Sequence, residues 1–118
     1  MGIDITQING AHIAEVKSAE VLIREPQDAL DLMASCGYMG SAKIIIHEIN
    51  LTPGFFDLKS GIAGEILQKF SNYGVHLSII GDFSKYPGKS LKDFIFESNK
   101  AGRINFVASR EEAIDRLI

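Results

Sequence analysis

The chain has 118 residues, 46% of them apolar and 23% charged, with a formal net charge of −3. That length suits a single domain over residues 1–118 with one sizeable core. The acidic balance leaves no basic face for phosphate contacts, which excludes nucleic acid as the expected partner, and no apolar run approaches a membrane span.

The opening MGIDITQING lacks the basic and apolar blocks of a secretion signal, and the lone Cys36 can form no intrachain disulfide. A cytoplasmic protein is expected, with Cys36 a buried structural thiol.

In chain order, Ile3 to Ile8 alternates apolar with polar, the period of a half-buried strand. Asn9-Gly10 is a strong hairpin signal, because both turn positions want positive φ, and Ala11 to Val16 is the return strand. Residues 18–25 carry no clear pattern. Pro26 suits the first turn of a helix, Ala29, Leu30, Met33 and Ala34 keep its apolar stripe, and Gly37 or Gly40 ends it. Lys43 to Ile49 is an isoleucine-rich strand suited to a sheet covered on both faces.

Phe55 to Asn72 reads as the longest helix, with Leu58, Ile62, Ile66, Phe70 and Tyr73 as its stripe and Gly74 as its stop. Val75 to Ile80 is a strand closed by Gly81-Asp82. A loop over Phe83 to Lys89 leads to a helix N-capped by Ser90, running through Ser98 and closed by Gly102. Ile104 to Val107 is the last strand. Ser109 with Glu112 has the capping-box spacing and opens a short final helix. The order is β-β-α-β-α-β-α-β-α, an α/β domain with one mixed sheet, in which the strands near 43–49 and 75–80 are parallel neighbours.

Ligands gather where parallel strands end, so His47, Glu48 and Asp82 form one candidate ligand rim, with Asp57, Lys59 and Ser60 at the start of the helix between them. His47 and Glu48, adjacent in a strand, point to opposite faces, and no recognised ligand spacing supports a metal site. Ser60, His47 and Asp82 suffice on paper for a triad, but no G-x-S-x-G elbow is present, and no Gly-rich phosphate loop or cofactor motif occurs. Gly61 and Gly64 are read as close-approach positions of a helix on the sheet. Of Phe55 and Phe56, one is read as a hydrophobic staple and the other as an exposed contact, with both in the core as the equal alternative. The loop Lys85-Tyr86-Pro87-Gly88-Lys89 reads as solvated, or as a binding lip.

Two resemblances follow. The stretch Phe55 to Glu65, with Gly81-Asp82-Phe83 and Phe94-Ile95-Phe96-Glu97-Ser98-Asn99, resembles the bacterial domain-of-unknown-function 4180 family over nearly the whole chain. That family implies no assigned activity. Phe56, Asp57 and Ser60-Gly61, with the closing run Phe106 to Ile114, are similar to STAS domains, the sulphate-transporter and anti-sigma-factor-antagonist fold. This second likeness implies a STAS-like fold and a serine before glycine that a partner kinase phosphorylates to switch binding. Leu58-Lys59 depart from its pattern, which has one small residue between acid and serine. The expectation is a non-enzymatic regulatory or protein-binding module without cofactor or metal, whose partner surface uses Phe55, Asp57, Lys59 and Ser60. The alternative is a small-molecule-binding domain or small enzyme using His47, Glu48 and Asp82.

Overall fold

The computed structural model describes residues 2–118. Strands β1 (Gly2–Ile8) and β2 (Ala11–Lys17) form an antiparallel hairpin. Its two-residue turn holds Asn9 at φ +50° and Gly10 at φ +81°, the left-handed backbone that this turn requires. Helix α1 (Pro26–Tyr38) carries the chain over to β3 (Lys43–His47), which runs parallel to β2. Helix α2 (Ile62–Asn72) leads to β4 (His76–Ile80), parallel to β3 from Lys43 opposite His76 to His47 opposite Ile80. Helix α3 (Lys89–Ala101) leads to β5 (Ile104–Val107), and α4 (Arg110–Asp115) follows. The result is one mixed five-stranded sheet in the order β1-β2-β3-β4-β5.

Right-handed crossovers that always step the same way place their helices on one face of the sheet. Ala14, Val16, Ile44, Ile46, Leu77, Ile79 and Phe106 from the strands accordingly pack with Ala29, Leu32 and Met33 of α1, Ile66 and Phe70 of α2, and Leu91 of α3. The alternate residues Ile13, Ile45 and Val107 face the other way and form a smaller cluster with Ala113 and Leu117 of the C-terminal segment, flanked by Ile8, Ala11, Ile80 and Ile114. Ser109 Oγ accepts from Glu112 N at 3.2 Å, and the Glu112 carboxylate accepts from Ala108 N at 2.9 Å. This is the reciprocal cap that the spacing predicts, with its second bond one residue early. On the same face Glu15, 5% exposed, takes Arg110 Nε at 2.8 Å and Lys17 Nζ at 3.3 Å, so α4 is tied to β2. Burial pushes the Glu15 carboxyl up, but those hydrogen bonds and charges outweigh it and hold it below the usual range.

Several sequence readings need correction. No helix spans Phe55 to Asn72: two 3₁₀ turns, Pro53–Phe56 and Leu58–Ser60, precede α2, and Gly61 at φ +77° breaks the path between them and it. The buried stripe of α2 is Ala63, Ile66, Leu67 and Phe70, while Tyr73 is exposed. Gly61 and Gly64 are not close-approach positions, since a Cβ on either meets nothing within 4 Å. Strand β3 also ends at His47, and Glu48–Asn50 is a 3₁₀ turn. In α3 the N-cap is Gly88 rather than Ser90. Cys36 is buried, and burial pushes its thiol up to about 11.

Candidate functional site

The chain leaving β3, β4 and β5 at their C-terminal ends builds one rim. Its framework is Asn50, fully buried, a residue that sequence reasoning passed over. Asn50 Oδ1 accepts from His47 N at 2.9 Å, and its Nδ2 donates to the carbonyls of Ser18 at 3.0 Å and Glu20 at 2.9 Å. Its own carbonyl accepts from Leu22 N and Ile23 N. One side chain therefore ends β3 and pins the patternless segment 18–23 against it. Such a buried amide needs partners, and nothing in the sequence around Asn50 marks it as buried.

Glu48 is the second organiser. Its carboxylate accepts from Lys85 Nζ at 2.7 Å, from Asp82 N at 3.2 Å and from the Tyr86 hydroxyl. Burial pushes the Glu48 carboxyl up, but the bonds from Lys85, Tyr86 and the Asp82 amide outweigh it and hold it below the usual range. The same burial and the facing Glu48 charge push the Tyr86 phenol well up. Gly81 makes room for this arrangement: a Cβ there would lie 2.6 Å from Glu48 Cβ and 2.7 Å from its Oε1. The Asp82 carboxylate caps the turn Phe83–Lys85 through Ser84 N at 3.1 Å, and the Ser84 hydroxyl and amide hold it below the usual range.

The third part is the stretch 53–61. Phe55 is fully buried, which removes it from the predicted partner surface, and Phe56 is nearly so. The two rings meet edge-on at 5.1 Å. Phe56 stacks on Tyr86 at 4.5 Å with planes 13° apart, and Phe83 meets Phe106 edge-on at 5.3 Å. These aromatic contacts, each worth about 0.5–1.5 kcal/mol beyond area, form a keel under the loops. Above the keel, Asp57, Lys59 and Ser60 are exposed. Asp57 Oδ1 accepts from Lys59 N at 3.2 Å. Ser60 Oγ lies 2.7 Å from the Asp57 carbonyl and 3.0 Å from the Gly54 carbonyl, and accepts from Ile62 N at 3.2 Å. Ser60 thus stands in the turn before α2 rather than in its first turn.

A cleft of about 470 Å³ lies between this turn and the start of α3, lined by Phe56, Asp57, Leu58, Lys59, Pro87, Gly88, Ser90 and Leu91. A second of about 320 Å³ adjoins it across Phe56, lined by Val21, Glu48, Ile49, Leu51, Pro53, Lys85 and Tyr86. The structure brings Glu48 and Asp82 together. It turns His47 away from them, toward Glu15 at 3.8 Å on the opposite face. The alternative rim of His47, Glu48 and Asp82 is therefore not one convergent set. Chemically, the rim presents an exposed hydroxyl and an exposed ammonium beside an aromatic-floored cleft, with its acids engaged in holding loops. Among the described residues, no three His, Cys, Asp or Glu side chains cluster as metal ligands, and no helix is long and apolar enough to cross a membrane.

No curated protein and no solved structure matches the chain. A family model does, over residues 8–117, from the last residue of β1 to just past the end of α4. The segments that build the keel, the rim and both clefts all fall inside that match, and the chain belongs to the family described as domain of unknown function DUF4180.

Proposed function

We propose that this protein is a non-enzymatic regulatory module of STAS-like character, cytoplasmic, which binds a protein partner through the rim around Asp57, Lys59 and Ser60. The observation that carries the reading is the setting of Ser60. It is exposed on the lip of the 470 Å³ cleft, and its hydroxyl ties together three backbone groups of the turn. A hairpin followed by sequentially ordered parallel strands, with Asp57 and Ser60-Gly61 just before α2, supports the STAS likeness.

Phosphorylation by a partner kinase would act through that turn. The esterified oxygen can no longer donate to the Gly54 and Asp57 carbonyls, and close to two negative charges appear beside Asp57. The turn must rearrange, and with it the lip of the cleft. Lys59, exposed and adjacent in sequence, offers a cation to receive the phosphate.

Mass spectrometry of Ser60 in protein from its native host tests the modification directly. Variants test the surface. Ser60→Ala and Ser60→Asp should both fold, each losing about 0.5–2 kcal/mol with the hydroxyl bonds. Ile66→Asp, in the core, should lose several kcal/mol. Partner capture should survive Ser60→Ala and fail for Ser60→Asp. If Ser60→Asp melts as low as Ile66→Asp, Ser60 is structural and the rim reading fails. If it stays folded and keeps every partner, the switch fails.

A further inference from the structure

The two edges of the sheet are finished differently. At the β5 edge, Asn99 of α3 lies beside Phe106 much as a strand would. Its Oδ1 accepts from Phe106 N at 2.7 Å, and its Nδ2 donates to the Phe106 carbonyl at 3.0 Å. Next to it, Ser98 Oγ donates to the Ile104 carbonyl at 2.7 Å. Side chains of α3 thus occupy outward backbone groups of the last strand, which keeps another chain from pairing with them.

The β1 edge has no such cover. A two-residue turn closes on a hydrogen-bonded pair, here Ile8 with Ala11, and such pairs recur at every second residue. Thr6, Asp4 and Gly2 therefore also bond inward to β2, and the N–H and C=O groups of Ile3, Ile5 and Gln7 point outward. Among the described residues, no turn, cap or loop bond of the backbone reaches residues 2–8. The strand, GIDITQI, also lacks the usual defences of an edge. It has no proline, no lysine, an unbroken register from Gly2 to Ile8, and a single charge, Asp4. Ile3 and Ile5 are only partly buried against the helix-side core.

We propose that β1 pairs with β1 of a second copy of this chain, antiparallel about a two-fold axis at Ile5, joining the two sheets into one. Parity, length and charge select that register. Outward groups must meet outward groups, so the axis falls at a residue of the strand and not between two. Centring on Ile5 overlaps the whole strand, with Gly2 against Ile8 and Ile3 against Gln7, and all three outward residues find partners. It sets Asp4 against Thr6, whereas centring on Asp4 would set two like charges side by side. Ile5 meets its own copy on the helix side, which carries the apolar layer across the seam. An axis normal to the sheet keeps both helical layers on one side and points the two rims to opposite ends. The seam does not rest on the reading of Ser60.

The test joins sedimentation equilibrium with amide hydrogen exchange over a range of concentrations. Monomer should give way to dimer with a Kd between about 1 μM and 1 mM, as suits a small seam. Exchange at Ile3, Ile5 and Gln7 should slow as concentration rises, while Asp4, Thr6 and Ile8, already bonded to β2, stay unchanged. Gln7→Pro removes an outward donor and no inward one, so it should melt as the wild type does and remain monomeric. Thr6→Lys should tighten the dimer about fivefold and Thr6→Asp loosen it about as much, since two charged pairs with Asp4 form per dimer. These two variants decide the matter if Gln7→Pro does not fold. A chain still monomeric at about 1 mM overturns the proposal and leaves the edge to an extended segment of a different protein. A dimer whose outward amides exchange unchanged, or one that Thr6→Lys and Thr6→Asp leave alike, overturns it too.

Discussion

Gly81 and Asn50 show how single residues set the rim. A side chain at Gly81 must displace Glu48, whose atoms occupy the space a Cβ would take. Gly81→Ala should therefore cost about 1–3 kcal/mol, the usual range for overpacking. The loosening should be local as well, read as faster hydrogen exchange at the Asp82 amide, which now bonds Glu48 Oε1. An unchanged melt and unchanged exchange would show that Glu48 moves freely. Asn50→Leu keeps much of the volume but strips His47 N, the Ser18 carbonyl and the Glu20 carbonyl of their partner. It should lose at least about 2 kcal/mol in a urea titration, since unmet buried polar groups cost about 1–3 kcal/mol each. Neither role was legible in the sequence, where a glycine after a strand reads as a stop and an asparagine before Leu51 reads as a loop. What each residue touches lies far away in the chain, and local pattern carries no such distance.

Among the elements, the strands were the most legible. Alternation and Asn9-Gly10 mark the hairpin, and the crossover between Lys43 and His76 implies the parallel pair that the register shows. The stretch 55–72 was misread for a physical reason. Three residues per turn in a 3₁₀ turn and 3.6 in an α-helix are close enough that Leu58, Ile62 and Ile66 keep one apolar spacing across both. The break is visible only in Gly61, whose positive φ the sequence does not declare. The rim was legible as strand ends, which bring Glu48 beside Asp82. Its loop partners Lys85 and Tyr86 were not, because the path of a loop has no period. Nor was the partner of His47, Glu15, which lies across the sheet.

For the molecule as a whole, three perturbed groups predict one pH dependence. Glu15 and Glu48 are held below the ordinary glutamate value of 4.5, so their stabilisation is full above that pH and is lost as pH falls through their folded values. His76 is held below 6.5, so the unfolded chain takes up this proton first and stability declines as pH falls from 6.5 toward the folded value. All three make the unfolded chain the better proton binder, so stability should rise with pH across the acid range. Urea midpoints should be level between pH 7 and 8, lower at pH 5.5 and lower again at pH 3.5. A midpoint that climbs on acidification would contradict the assignment. The strand order has a consequence of another kind. Every strand bonds only to its neighbours in the chain, and the two edges of the sheet are the first and last strands. During synthesis each new strand emerges to find its partner already made. The sheet can be laid down from one side to the other at the pace of the ribosome, and no edge has to wait for a strand encoded further back than the one before it.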